Sequence, residues 1–119
     1  MKERKPGKVT VVVTAVVALS VAAVCAPVAG AADLANGKKV YADKCARCHG
    51  NSGKGDGRLA ETFEKKPGDF TDKSRMGEFT DPQLKKITLE GKPPMPAYKG
   101  RITDKDVDDA IAYIRALGQ

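Results

Sequence analysis

The clearest pattern of apolar and polar positions lies at the C-terminal end. Val107, Ala110, Ile111, Ile114 and Leu117 recur at steps of three and four, the spacing of one helix face. Thr103 precedes this stripe with Asp106 three positions on, a carboxylate version of the capping box, and Gly118 stands where such a helix stops. Asp104, Asp106, Asp108 and Asp109 fall in its first two turns, the favourable end of the macrodipole. The stripe reads as a core face packed on a neighbouring helix. A second helix starts at Thr80, with Gln83 completing a capping box and Pro82 in the first turn. Leu84, Ile87 and Leu89 form its stripe, and Gly91 ends it. Near the front, Leu34, Val40, Tyr41 and Cys45 predict a helix over 34–48. Gly37 lies inside it, where glycine costs about 1 kcal/mol against alanine; close approach of another helix and a frayed first turn are equally good reasons for it. Residues 58–64 allow one short helical turn. No segment alternates at period two, so the pattern predicts an all-α domain.

Between these elements the chain is punctuated. Gly50-Asn51-Ser52-Gly53-Lys54-Gly55-Asp56-Gly57 is loop by composition. It is not a phosphate-binding P-loop, because no Gly-Lys is followed by Ser or Thr. It is not an EF-hand, because oxygen ligands do not alternate and no glutamate closes it. Glycines that permit tight turns are the simpler reading. Gly91 to Tyr98, with Pro93, Pro94 and Pro96 around Met95, predicts an extended, stiffened segment.

The first 31 residues follow different rules. Lys2, Arg4, Lys5 and Lys8 precede an uncharged, Val- and Ala-rich stretch from Val9 to Ala32, with Ala29-Gly30-Ala31 as a small-residue cleavage site. This is the form of a secretory signal peptide cut after Ala31, leaving one domain over 32–119. The stretch is also as long as the roughly 20 apolar residues that cross a bilayer, so a retained leader would be a membrane anchor. Pro27 and Gly30 favour cleavage. Cys25 is preceded by Val24 where a lipoprotein would carry a small residue, and no twin-arginine pair precedes the run. Export also places the remaining cysteines outside the cytosol.

Those cysteines carry the chemistry. Cys45-Ala46-Arg47-Cys48-His49 is the attachment pattern of a c-type haem. On a helix, Cys45 and Cys48 lie one turn apart on one face, with His49 beside them to reach the iron. The chain has no Trp, three Phe and three Tyr, and so small and aromatic-poor a domain benefits from a group it can pack against. His49 is the only histidine, which excludes a bis-histidine iron site within one chain. The second axial ligand then comes from Met95 or Met76, with a lysine amine as a poorer substitute. Met95 is stiffened by its prolines, whereas Met76 sits in the polar Lys73-Ser74-Arg75-Met76-Gly77-Glu78; Met95 is favoured. A thioether opposite an imidazole raises the potential, and two filled axial sites leave no room for substrate. That favours electron transfer over oxygen binding or peroxidase chemistry.

Taken together, these segments resemble the class I c-type cytochromes of bacteria with a single haem. The matching pieces are Cys45 to Gly50, Gly53 to Gly57, Pro67-Gly68-Asp69-Phe70-Thr71, Ile87 to Gly91, Met95-Pro96-Ala97-Tyr98 and Asp108 to Leu117. They cover nearly all of residues 32–119. The resemblance implies three to four helices wrapped around one covalent haem c, with Cys45 and Cys48 as thioethers and His49 and Met95 as axial iron ligands. It implies contact between Gly37 on the first helix and Tyr113 on the last. It also implies a proline carbonyl facing the proximal imidazole, for which Pro67 is the candidate.

The expected function is that of a monomeric periplasmic electron carrier, not an enzyme, serving redox protein donors and acceptors, membrane-bound ones included, with no small-molecule substrate. The alternative is a cytochrome subunit held permanently in an oxidase or periplasmic dehydrogenase. A haem-free thiol or zinc protein would lack a fourth metal ligand once Cys25 is removed. The full chain carries a formal net charge of +6; residues 32–119 hold 17 basic against 14 acidic groups, or +3. Eight of those basic residues fall between 36 and 66, a face able to steer an acidic partner or simply a solvated mixed surface. Basic-aromatic interleaving is absent, so nucleic acid is not an expected partner.

Overall fold

The computed structural model describes residues 30–119, together with Glu3, Gly7 and Thr10, so the expected leader and Cys25 lie almost wholly outside the described residues. Among the described residues five helices follow in order: α1 (Leu34–Lys44), α2 (Ala46–His49), α3 (Lys73–Gly77), α4 (Asp81–Glu90) and α5 (Asp104–Leu117). A 3₁₀ turn over Ala60–Thr62 lies between α2 and α3. Among the described residues there is no strand, only isolated bridges pairing Lys92 with Met95 and Lys99 with Ile102. No described helix is long and apolar enough to cross a membrane.

The terminal helices α1 and α5 pack against each other, and Gly37 is where they touch. A Cβ built on Gly37 would lie 2.1 Å from the Asp109 carbonyl oxygen and 3.1 Å from Tyr113 Cβ, a separation that only a missing side chain allows. The glycine is thus explained by close approach, against the partner helix that carries Tyr113. Beside this contact the Asp109 carboxylate, 1% exposed, accepts hydrogen bonds from the Asp33 N–H (2.9 Å), the Asn36 side-chain amide (2.8 Å) and the Lys105 ammonium (2.6 Å). A buried carboxylate is tolerated only with such donors around it. Its place in the second turn of α5 is as the sequence pattern puts it; its burial comes from α1 lying across it.

Both expected capping boxes form, at Thr80 with Gln83 and at Thr103 with Asp106. The α5 stripe is core: Val107, Ala110, Ile111 and Ile114 are buried and Leu117 half-buried. Leu34 is 51% exposed, because the face of α1 that meets α5 is that of Gly37 and Tyr41. The single helix expected over 34–48 breaks at Cys45, whose ψ of −38° follows a φ of −112°. Helix α3 carries no periodic stripe. It starts at Asp72, whose carboxylate accepts from the Arg75 N–H, and it buries Met76 among Tyr41, Ala46 and Ile114. Met76 is therefore anchored in the core, contrary to the polar setting its neighbours suggest. Arg115 on α5 fixes that region by donating to the carbonyls of Met76 (2.6 Å) and Phe79 (2.5 Å) and pairing with Asp81 (2.9 Å).

Candidate haem and iron site

A cavity of about 250 Å³ opens between α2, α4 and the segment after α4. Cys45, Cys48, His49 and Met95 all line it, brought together from two stretches separated by more than forty positions. Met76 lines it as well, and the rest of the wall includes Phe63, Phe70, Leu84, Ile87, Tyr98 and Ile111. Lys44, Lys65, Lys66, Arg75 and Lys92 also border the cavity.

The wall that carries His49 is tightly hydrogen-bonded. Helix α2 is a single turn, so its carbonyls need outside donors. The glycine loop supplies them: the N–H groups of Gly55, Gly57 and Leu59 donate to the carbonyls of His49 (2.8 Å), Cys48 (3.1 Å) and Arg47 (2.9 Å). A Cβ on Gly57 would sit 2.5 Å from the Arg47 carbonyl oxygen, so only glycine lets the loop close against the turn. The Tyr41 hydroxyl donates to the Gly50 carbonyl at 2.7 Å, tying the same loop to α1.

His49 is oriented from two sides. Its Nδ1 lies 3.2 Å from the Gly68 carbonyl, and its ring stacks on Phe70 at 4.4 Å between centroids and 19° between planes. A carbonyl can only accept, so Nδ1 carries the hydrogen and Nε2 keeps its lone pair for a metal. Burial lowers the imidazole pKa, with the Gly68 carbonyl partly opposing; the neutral ring is the ligating form. The expected partner was Pro67. The carbonyl belongs to Gly68 instead, one residue on, because the Phe70 N–H is pinned to the Gly53 carbonyl at 2.6 Å and sets the register of this segment. Both thiols are half-buried and unbridged. Burial first, then the neighbouring Cys48, pushes the Cys45 thiol up to about 11, so it enters the apolar wall uncharged.

Met95 arrives on a different kind of backbone. Lys92 and Met95 exchange hydrogen bonds, the Lys92 N–H to the Met95 carbonyl (3.1 Å) and the Met95 N–H to the Lys92 carbonyl (2.8 Å). The segment is therefore a tight turn, not the extended run that its prolines suggest; Pro93–Pro94 is a cis peptide. The turn still presents a half-buried Met95 to the cavity. Sequence reading did not single out Tyr98 in this site. It is 9% exposed, lines the cavity, and donates its hydroxyl to the Lys44 carbonyl at 2.8 Å.

The sequence profile of the cytochrome c family matches residues 34–118. The chain belongs to the cytochrome c family. It is similar to the cytochrome c6 of Thermosynechococcus vestitus, 38% identical over 88 residues that make up 74% of this chain and 73% of that protein. The cytochrome c6 of Synechococcus elongatus is 36% identical over 83 residues, 70% of this chain and 88% of its own. Among solved structures, the KustC0563 c-type cytochrome superimposes with a TM-score of 0.61 at 25% identity, covering 70% of this chain and 98% of that one. A chain of the Kuenenia stuttgartiensis reducing HAO-like protein complex Kustc0457/Kustc0458 gives 0.60 at 26% identity, covering 69% and 41%.

The fold is accordingly that of a class I, single-haem c-type cytochrome, an all-α electron-transport protein carrying covalent haem c and its iron. The cavity fits that group. Its donor set is two thiols at attachment spacing, an imidazole with its second nitrogen already engaged, and a thioether, within an otherwise largely apolar wall.

Proposed function

We propose that the protein is a periplasmic one-electron carrier in which Cys45 and Cys48 form the thioether links and His49 and Met95 the axial bonds to iron. One observation carries this reading: all four side chains line a single cavity although two separate chain segments supply them. Haem c bound there supplies one-electron chemistry at iron, between ferrous and ferric states. The chain's part is to hold its ligands still in both states and keep water from the iron. On one side the Gly68 carbonyl and Phe70 fix the His49 ring. On the other, the Lys92–Met95 turn limits where the thioether can go. Met76 backs onto the core cluster and serves as packing. Residues 1–31 act as a signal peptide cut after Ala31, leaving residues 32–119 as a monomeric carrier that serves redox proteins rather than small-molecule substrates. The test is a ferric absorption spectrum of the exported protein and of Met95→Leu and Met76→Leu. The far-red band of methionine ligation disappears only in Met95→Leu; its loss in Met76→Leu instead refutes the assignment.

A second reading, a subunit held permanently in a larger redox complex, is favoured by one finding. One of the similar solved chains is part of the reducing HAO-like protein complex Kustc0457/Kustc0458. Purification from native membranes under mild conditions separates the two, since a carrier elutes alone and a subunit elutes with its partner.

A further inference from the structure

We infer that Tyr98 is a positioning residue for Met95, its hydroxyl acting as the latch that holds the methionine-bearing strap closed against α1. This rests on the reading of Met95 as an iron ligand. The strap, residues 91–98, is hinged on α4 at both ends. At its start the Gly91 N–H donates to the Ile87 carbonyl at 2.8 Å. At its end the N–H groups of Tyr98 and Lys99 donate to the carbonyls of Thr88 and Leu89, each at 3.1 Å. Inside the strap, Lys92 and Met95 bond to each other. All of these bonds fix the strap to α4 or to itself. None of them reaches across the cavity to α1, Cys45 or α2. Among the described residues, one hydrogen bond joins residues 91–98 to α1 or α2, and it runs from the Tyr98 hydroxyl to the Lys44 carbonyl, 2.8 Å long.

The acceptor explains why the latch falls there. Lys44 is the last residue of α1, where helix carbonyls run out of intrahelical donors, and the chain breaks at Cys45 directly after it. A phenol is a good donor to such a carbonyl. The Tyr98 ring forms part of the cavity wall and is almost fully covered, so the bond is partly shielded from competing water. Ring and hydroxyl thus have separate tasks, one filling the wall and the other setting the position of the strap.

The experiment uses the exported, haem-loaded protein and the Tyr98→Phe variant, which keeps the ring in the wall and removes only the oxygen. Urea titrations follow the far-red ferric band of methionine ligation and, on the same samples, the far-ultraviolet helix signal. The latch predicts that in Tyr98→Phe the band is lost at lower urea than the helices, with the ratio of closed to open strap reduced by roughly two- to tenfold, the worth of one hydrogen bond. A band midpoint that does not move overturns the proposal. So does a band that falls in step with the helix signal, which would make the hydroxyl a general stabilising contact. Met95→Leu runs beside it: a band surviving there shows that the ligand reading itself has failed and removes the proposal with it. A band absent in Met95→Leu but unmoved in Tyr98→Phe sinks the latch alone.

Discussion

The two walls of the cavity are built by different means. The His49 wall is local: Cys45, Cys48 and His49 lie within one turn, and the loop immediately after it caps that turn through Gly55, Gly57 and Leu59. The Met95 wall is irregular backbone hung on α4, and its distance from the His49 wall depends on contacts between residues far apart in sequence, such as Tyr98 with Lys44, 54 positions away. A ligand set fixed by short-range geometry is stiff by construction. One fixed by a few long-range bonds can open without unfolding the rest. On the proposed ligation, the α1–α5 contact carries the frame that both walls share, and the strap carries Met95.

The largest expected effect comes from breaking the frame both walls share. Gly37→Val drives side-chain atoms into the Asp109 carbonyl and Tyr113 and forces the helices apart, costing about 3 kcal/mol or more in urea unfolding, since overpacking of this kind costs 1–3 kcal/mol even where neighbours can yield. Met95→Leu comes next. It lowers the reduction potential, measured by redox titration, because an axial thioether favours ferrous iron. Met76→Leu leaves the potential in place and costs less than about 1.5 kcal/mol, as volume-conserving core exchanges do.

A smaller effect separates the frame from the strap by pH. The Lys105 ammonium, then the Asn36 amide and the Asp33 N–H, hold the Asp109 carboxyl down to about 2, against an ordinary 3.8. A folded-state value below the unfolded one adds stability that is whole above 3.8 and is lost as pH falls through about 2. Asp106, bonded to Asn36 and Thr103, and Asp69, bonded to Thr71, are shifted the same way. Thermal midpoints of the wild type should therefore fall across that acid window, and Asp109→Asn should start lower and fall less steeply. Smallest is Thr103→Ala, which removes the α5 cap and costs about 1 kcal/mol by the same unfolding measurement, while the far-red band stays.

The same contrast explains what the sequence made legible. Capping boxes, the α5 stripe and the Cys45–His49 spacing depend on neighbours within four positions, and the structure has them where the pattern puts them. Helix α3 was missed because it is five residues long and held by Arg115 from α5, not by any stripe of its own. The carbonyl facing His49 was assigned one residue early, since the register of Gly68 comes from the Phe70 bond to Gly53 and leaves no mark on local sequence. The burial of Asp109 and the bond from Tyr98 to Lys44 join residues more than fifty positions apart, beyond the reach of periodicity. Met95 was singled out for its proline neighbours, yet the mechanical reason differs: the stiffness comes from a closed turn, not from extension.

The central claim, that His49 and Met95 are the side chains that would hold one haem iron, is tested most directly by proton NMR of the ferrous, haem-loaded protein with methionine methyl groups labelled. The account predicts one methionine methyl shifted far upfield by the porphyrin ring, absent in Met95→Leu and retained in Met76→Leu. A spectrum with no such methyl, or one that loses it in Met76→Leu, would contradict it.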